Sequence, residues 1–382
     1  MRTFVKAAKF FMRNSVKGPG YLELVDGKFG SYFKELPEKD AEVVDYGGQW
    51  IAPGLVDTHI HGYKNHDVMD NDFEGIKVMS DALLSCGVTS FLPTTLTSSR
   101  ERLKDVAQTI GDHYQEAQGA KIQGIYFEGP FFTEEHKGAQ NPSYFSDPSI
   151  EVFHEWQEAA GGLIKKIALA PERKGAAEFV KQVTSEGVVV SLGHSDATLE
   201  QASAVVDAGA SVFVHVYNGM RALNHREPAM VGAAMTLKNV FGELICDGHH
   251  VHPTAAEAYM DVRGRDHVAL ITDCMMAGGM PDGDYILGEF PVVVANGTAR
   301  LKEGNLAGSI LKLKEAIKNV VDWGIATPQE AIMMASEVPA VSCKIDDKCG
   351  FIAPGRAADF IVLDPDMELA ATYLDGVKRF EK

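Results

Sequence analysis

The chain has 382 residues, 45% of them hydrophobic and 23% charged, a balance that sets aside disorder and fits one large globular domain with a smaller companion. A formal net charge of −17 argues against nucleic acid held on a broad basic surface, so an anionic ligand would need an arginine of its own. The cysteines, Cys86, Cys246, Cys274, Cys343 and Cys349, are odd in number and form no CxxC pair, which argues against a disulfide framework and for a reducing compartment.

The N-terminal MRTFVKAAKFF lacks the apolar core and small-residue cleavage site of a signal peptide. No window offers the roughly 18 uninterrupted apolar residues of a membrane span, so a cytoplasmic location is expected. Residues 1–50 read as short antiparallel strands, with Asp26-Gly27 as a turn signal. From Ile51 the rhythm changes to eight apolar runs: IAPGLVDTHIH, VTSFLPT, KIQGIYFEG, IKKIALAPE, VVVSLGHS, VFVHVYN, FGELICDG and VALITD. Amphipathic stretches such as GIKVMSDALLSCG and AAEFVKQVTSEG separate them, which predicts an α/β fold with a parallel (β/α)8 barrel; a doubly wound sheet is the alternative.

After Asp273 the chain reads as polar turns, then as two helices, GSILKLKEAIKNVVDWG and TPQEAIMMASEVPAVSC. Thr327 is placed to cap the second, with Pro328 at its first position and Glu330 three after the cap. The tail returns to strands around an Asp375-Gly376 turn. The predicted organisation is a small β-sandwich from residues 1–50 and 350–382, flanking a barrel over residues 51–349.

The most telling segment is IAPGLVDTHIHG at residues 51–62, where His59 and His61 stand two apart on a predicted strand. Side chains at i and i+2 share a face, so both rings can address one ion, and Asp57 is placed to orient a ring. On a barrel, strand-end residues gather at the carboxyl mouth. His59 and His61 close the first run, Glu128 the third, His194 the fifth, His215 the sixth and Asp273 the eighth. Any one alone could be a satisfied polar residue at a barrel rim; six at matching ends point to a metal site. Imidazole nitrogen and carboxylate oxygen suit one or two divalent ions, Zn2+ or Fe2+, with Mn2+ or Co2+ also compatible. Such an ion lowers the pKa of bound water to about 7, and Asp273 is the natural proton acceptor beside it. Arg226, in the polar segment NHREP, has forked donors suited to phosphate, though from the residues alone a solvated surface arginine is the favoured reading there. His225, His249 and His252 lie nearby as bystanders.

The PGLVDTHIHG entry, the strand-end histidines and the late ITD resemble the amidohydrolase superfamily. Within it, YFEGPFF, KGAQNP, LGHSDAT, HVYNGMRALNHREPAMVG, CDGHHVHP and ITDCMMAGG resemble the N-acetylglucosamine-6-phosphate deacetylases, over nearly the whole chain. The resemblance implies a TIM-like barrel of the metal-dependent hydrolase type that removes the acetyl group of N-acetyl-D-glucosamine 6-phosphate in amino-sugar catabolism. It implies Glu128, His194 and His215 as the main metal site, Glu128 standing where many relatives have a carboxylated lysine, and Asp273 as catalytic acid and base. It places Ala139, Gln140, Asn218 and Gly219 at the sugar, Leu306, Ala307 and Gly308 in a loop over it, and Arg226 and His250 at the phosphate. It also implies a homodimer in which Arg226 serves the neighbouring subunit's site.

Two departures stand out. Some members carry amide residues in place of the first-strand histidines and hold one ion; this chain keeps His59 and His61, which implies a second. Gln140 stands where some members have a histidine on the acetyl carbonyl, and an amide cannot become a cation, so polarisation would rest more on metal. Two rivals remain: an amidohydrolase acting on a cyclic amide or an N-acyl amino acid, which leaves Arg226 and His250 unexplained, and a non-catalytic sugar-phosphate-binding protein, which has no need of Asp273.

Overall fold

In the computed structural model, which describes residues 2–382, eight strands run parallel around a nearly closed barrel. They are Leu55–Ile60, Val88–Thr95, Ile125–Phe131, Ile164–Leu169, Val189–Leu192, Val212–Phe213, Phe241–Ile245 and Val268–Ile271. Strands of such a barrel are covered on both faces, which is why their sequences are apolar runs instead of alternating ones. All eight residues of Val88–Thr95 are buried. The last strand meets the first just past its end, where Asp273 N donates to His59 O at 2.9 Å and His61 N to Cys274 O at 2.9 Å.

Helices between the strands cover the barrel. Phe73–Leu83 buries Phe73, Ile76, Met79 and Leu83, one stripe at helical spacing, and Asp72 caps it by accepting from Glu74 N. Leu313–Asp322 buries Leu313, Ala316, Ile317 and Val320 in the same way. Each large aliphatic side chain so buried contributes about 1.5–3 kcal/mol, so a charge at Ile317 would detach this helix. Thr327 caps Pro328–Met334 in a reciprocal box with Glu330, as its spacing predicts. The segment TPQEAIMMASEVPAVSC, predicted as one helix, forms two, because the chain breaks at Ala335 and Ser336 before Glu337–Ser342.

Both termini build two further sheets that share an apolar core of Val5, Phe10, Leu22, Phe29, Ile51, Phe360, Val362 and Tyr373. The antiparallel expectation for residues 1–50 needs correction at two pairings: Arg2–Ala7 runs parallel to Val43–Asp45, and Lys9–Met12 parallel to Trp50–Pro53. The chain shuttles between the sheets there, so sequence neighbours are not always paired. The boundary at residue 50 also shifts. Trp50–Pro53 lies in the terminal sheet, paired with Phe360–Leu363, and the barrel begins after Gly54, where a side chain would collide with Thr89. The segment expected to be polar turns contains instead an antiparallel sheet, Gly283–Leu287, Phe290–Ala295 and Thr298–Leu301. Among the described residues no helix is long and apolar enough to cross a membrane.

Candidate active site and metal centre

Because the strands are parallel, residues at their carboxyl ends converge on one mouth. His61 directly follows the first strand, His194, His215 and Asp273 each stand two residues beyond theirs, and His59 and Glu128 look inward from the first and third. His194, His215 and Asp273 adopt φ of 47°, 25° and 50°. A left-handed backbone costs an L residue about 1–2 kcal/mol, so tertiary structure holds these three where local preference would not.

The rings aim at a common point. His194 Nε2 lies 3.2 Å from Glu128 Oε1 and 3.2 Å from His215 Nε2, which is itself 3.1 Å from that oxygen. His61 Nε2 lies 3.2 Å from Glu128 Oε2 and 3.2 Å from Asp273 Oδ1. His59 Nε2 is 3.5 Å from Glu128 Oε1, 3.6 Å from Asp273 Oδ1, and buried with no hydrogen-bond partner.

The outer nitrogens say which tautomer each ring takes. His194 Nδ1 faces His136 O at 2.9 Å, His215 Nδ1 faces Asn218 O at 3.1 Å, and His61 Nδ1 faces Thr94 O at 3.2 Å. A carbonyl only accepts, so each Nδ1 carries a proton and each Nε2 is the ring atom turned toward the carboxylates. Imidazole nitrogens and carboxylate oxygens converging on one point make a group that could hold a cation, with outer acceptors fixing the rings as metal-ligating histidines require. His59, His61 and Glu128 form one such group and Glu128, His194 and His215 another, their ligand atoms all within 4.8 Å of one another. The donor set fits a divalent first-row ion, and Glu128 belongs to both groups.

His59 shows what sequence reasoning missed. Its ring is held by Glu243, whose Oε2 lies 3.3 Å from Nδ1, and not by Asp57. Asp57 instead accepts from His59 N at 3.3 Å and from Thr272 Oγ1 at 2.6 Å, tying the first strand to the last. Glu243 is paired in turn with Lys166, whose Nζ also sits 3.8 Å from the Tyr126 ring centroid; both charged residues are fully buried. The only sequence signal was a charge at an inward position of an apolar run, in IKKIAL and in FGELIC.

Electrostatics follow from this crowding. Burial pushes Glu128 toward neutrality, but His59 and hydrogen bonds from His194, His215 and His61 outweigh it and hold the carboxyl well below the usual range. Burial opposes the charge on Asp273 as well, and His59 and His61 overcome it, bringing the group down to about 2. For His59, burial dominates and lowers the ring's affinity for protons, which keeps Nε2 available.

The mouth opens into a cavity of about 380 Å³. Of the residues expected at the sugar and its phosphate, Ala139, Gln140, Asn218, Gly219, His250, Leu306 and Gly308 line it, and Ala307 is buried. Gln140 is turned toward Glu128, donating to Oε2 at 2.6 Å while its own carbonyl accepts from Thr97 N at 2.9 Å. Arg226 does not reach this cavity; it lines a separate one of about 170 Å³ with Arg221 and Glu227.

A parallel barrel with histidines and carboxylates converging at its carboxyl mouth, beside an inward carboxylate, defines the class of metal-dependent barrel hydrolases. The model of the amidohydrolase family matches residues 50–379. The chain belongs to the amidohydrolase family. It is 38% identical to an N-acetylglucosamine-6-phosphate deacetylase of Vibrio furnissii over 340 residues, 89% of this chain and 85% of the relative. It is 39% identical to an N-acetylgalactosamine-6-phosphate deacetylase of Escherichia coli O157:H7 over 342 residues, 89% of each. Among solved structures, a mutant N-acetyl-D-glucosamine-6-phosphate deacetylase of Mycobacterium smegmatis in complex with N-acetyl-D-glucosamine-6-phosphate superposes with a TM-score of 0.94 at 28% identity, covering 99% of both chains.

Proposed function

We propose that the protein hydrolyses the acetamide of N-acetyl-D-glucosamine 6-phosphate to D-glucosamine 6-phosphate and acetate. The observation that carries this reading is the set of imidazole nitrogens converging on Glu128 with Asp273 beside them, in a chain whose relatives deacetylate amino-sugar phosphates. The metal would be held by Glu128, His194 and His215, with His59 and His61 completing a second position. A bound divalent ion supplies a lowered water pKa and offsets negative charge on the carbonyl oxygen. Asp273 takes the proton from the attacking water as the C–O bond forms and the carbonyl pair moves onto oxygen, then gives it to the nitrogen as that pair returns and the C–N bond breaks, which releases the amine and acetate. Gln140, engaged with Glu128, steadies that carboxylate.

The ion is zinc or iron(II) on donor chemistry, the working unit is a homodimer, and Arg226 serves the partner subunit's site. The separate cavity that Arg226 lines supports that last assignment. The galactosamine epimer is a second reading, supported by the Escherichia coli relative. Acetate release from both phosphorylated epimers, with N-acetylglucosamine alongside and metal content measured on the same sample, tests the proposal. Release confined to phosphorylated sugar and lost on chelation supports it, and the ratio of the two rates ranks the epimers. No release from metal-loaded protein overturns it.

A further inference from the structure

Resting on that reading, we propose that Arg300 is the cation this chain itself brings to the sugar phosphate, and so a residue that sets specificity for phosphorylated substrates. Among the described residues it is the only lysine or arginine lining the catalytic cavity.

Apart from an arginine reaching in from a partner subunit, the chain's other candidates supply no such cation to their own cavity. Arg226 faces a different cavity in its own chain. His250 lies in the right cavity, but its Nδ1 is 2.6 Å from Asp247 Oδ2, so this pair adds a donor without adding net positive charge. Glu128 and Asp273 line the same space, and the whole chain carries −17. A phosphate entering such a field needs an uncompensated cation at the mouth.

Arg300 is built to be that cation. It lies on Thr298–Leu301 in the small antiparallel sheet, where alternation sends Ala299 into a core with Leu287, Val292, Val294 and Ala307 and turns Arg300 to the opposite face. One guanidinium nitrogen donates to Gly304 O at 2.8 Å, and no carboxylate lies within salt-bridge distance among the described residues, which leaves the remaining donors of the fork for a ligand. A bridge to Leu306 ties its strand to the loop over the sugar. At the strand's start the backbone of Gly297 packs on His249, so that a side chain there would come 3.4 Å from the ring. Arg300 stands three residues, about 10 Å of strand, beyond the glycine that meets His249, the neighbour of His250.

The test is steady-state kinetics of Arg300→Ala and Arg300→Lys on N-acetylglucosamine 6-phosphate and on N-acetylglucosamine, with inorganic phosphate as a competitive inhibitor. Arg300→Ala should raise KM for the phosphorylated sugar about tenfold or more with kcat little changed, weaken inhibition by phosphate by a similar factor, and leave kcat/KM for the unphosphorylated sugar where it was. Arg300→Lys should recover part of both losses. Equal effects on both sugars, or an unchanged phosphate inhibition constant, would overturn the assignment. If the wild-type protein releases no acetate, the functional reading fails instead, and calorimetric titration of inorganic phosphate into wild-type and Arg300→Ala protein still decides whether Arg300 holds the anion.

Discussion

Glu243 Oε2 lies 3.3 Å from His59 Nδ1, and the two residues stand 184 positions apart in the chain. Among the four histidines converging on Glu128, the contact aims the one whose outer nitrogen meets a carboxylate instead of a carbonyl, and Lys166 neutralises that carboxylate inside the barrel.

Removing either side of this arrangement should have distinct effects. Lys166→Met strands a buried carboxylate and should cost about 3–5 kcal/mol in urea denaturation, whereas Lys166→Met with Glu243→Gln should recover much of it. Glu243→Gln alone should weaken the ion on the His59 side about 10–100-fold, with Glu128, His194 and His215 keeping theirs. Elemental analysis after graded chelation reads this directly; a uniform loss of metal would contradict it.

Asp273→Asn keeps the shape of the side chain and removes its ability to carry the proton. Turnover should fall by about 10²–10⁴-fold or more while metal content stays largely intact. Retained activity would remove Asp273 from the proton transfer.

Arg226→Ala should raise KM for the phosphorylated sugar more than for the unphosphorylated one. If the arginine acts across a dimer, mixing Arg226→Ala with Asp273→Asn and allowing exchange should restore roughly a quarter of wild-type activity, since half the dimers are mixed and each has one complete site. No restoration on verified exchange would place Arg226 outside the partner's site.

Away from the centre, Asp67 caps a short helical turn by accepting from Met69 N at 2.8 Å, while its Oδ2 is buried without a partner. Burial pushes its carboxyl up to about 6 from an ordinary 3.8, partly countered by Met69 N and His61. The folded state thus binds more protons than the unfolded one between those values, and stability falls as pH rises through that window. Above it the cost is on the order of 3 kcal/mol at most. Asp67→Asn should therefore melt higher than wild type at pH 8 and lose the advantage below about pH 4; an advantage independent of pH would rule this out.

Much of this was legible beforehand because it is local. Apolar runs recur with barrel rhythm, Thr327, Pro328 and Glu330 carry a capping pattern over four residues, and His59 and His61 share a face through the pleat alone. Other features were not legible for stated reasons. Gly54 divides one apolar run because the terminal sheet captures Trp50–Pro53, a choice made by Phe360–Leu363 far along the chain. The sheet at residues 283–301 hides behind a Pro291 inside its middle strand and polar turns at both ends.

By itself the sequence determined which residue types could do chemistry and at which strand ends they stand, because burial periodicity and strand polarity are properties of neighbouring residues. Only the tertiary structure decided which partners they meet. It chose Glu243 over Asp57 for the His59 ring, turned Gln140 onto Glu128, kept Arg226 out of the catalytic cavity of its own chain and brought Arg300 into it. Each is a contact across the closed barrel or between sheets, where packing and the pairing of buried charge select among geometries that local pattern leaves equally open.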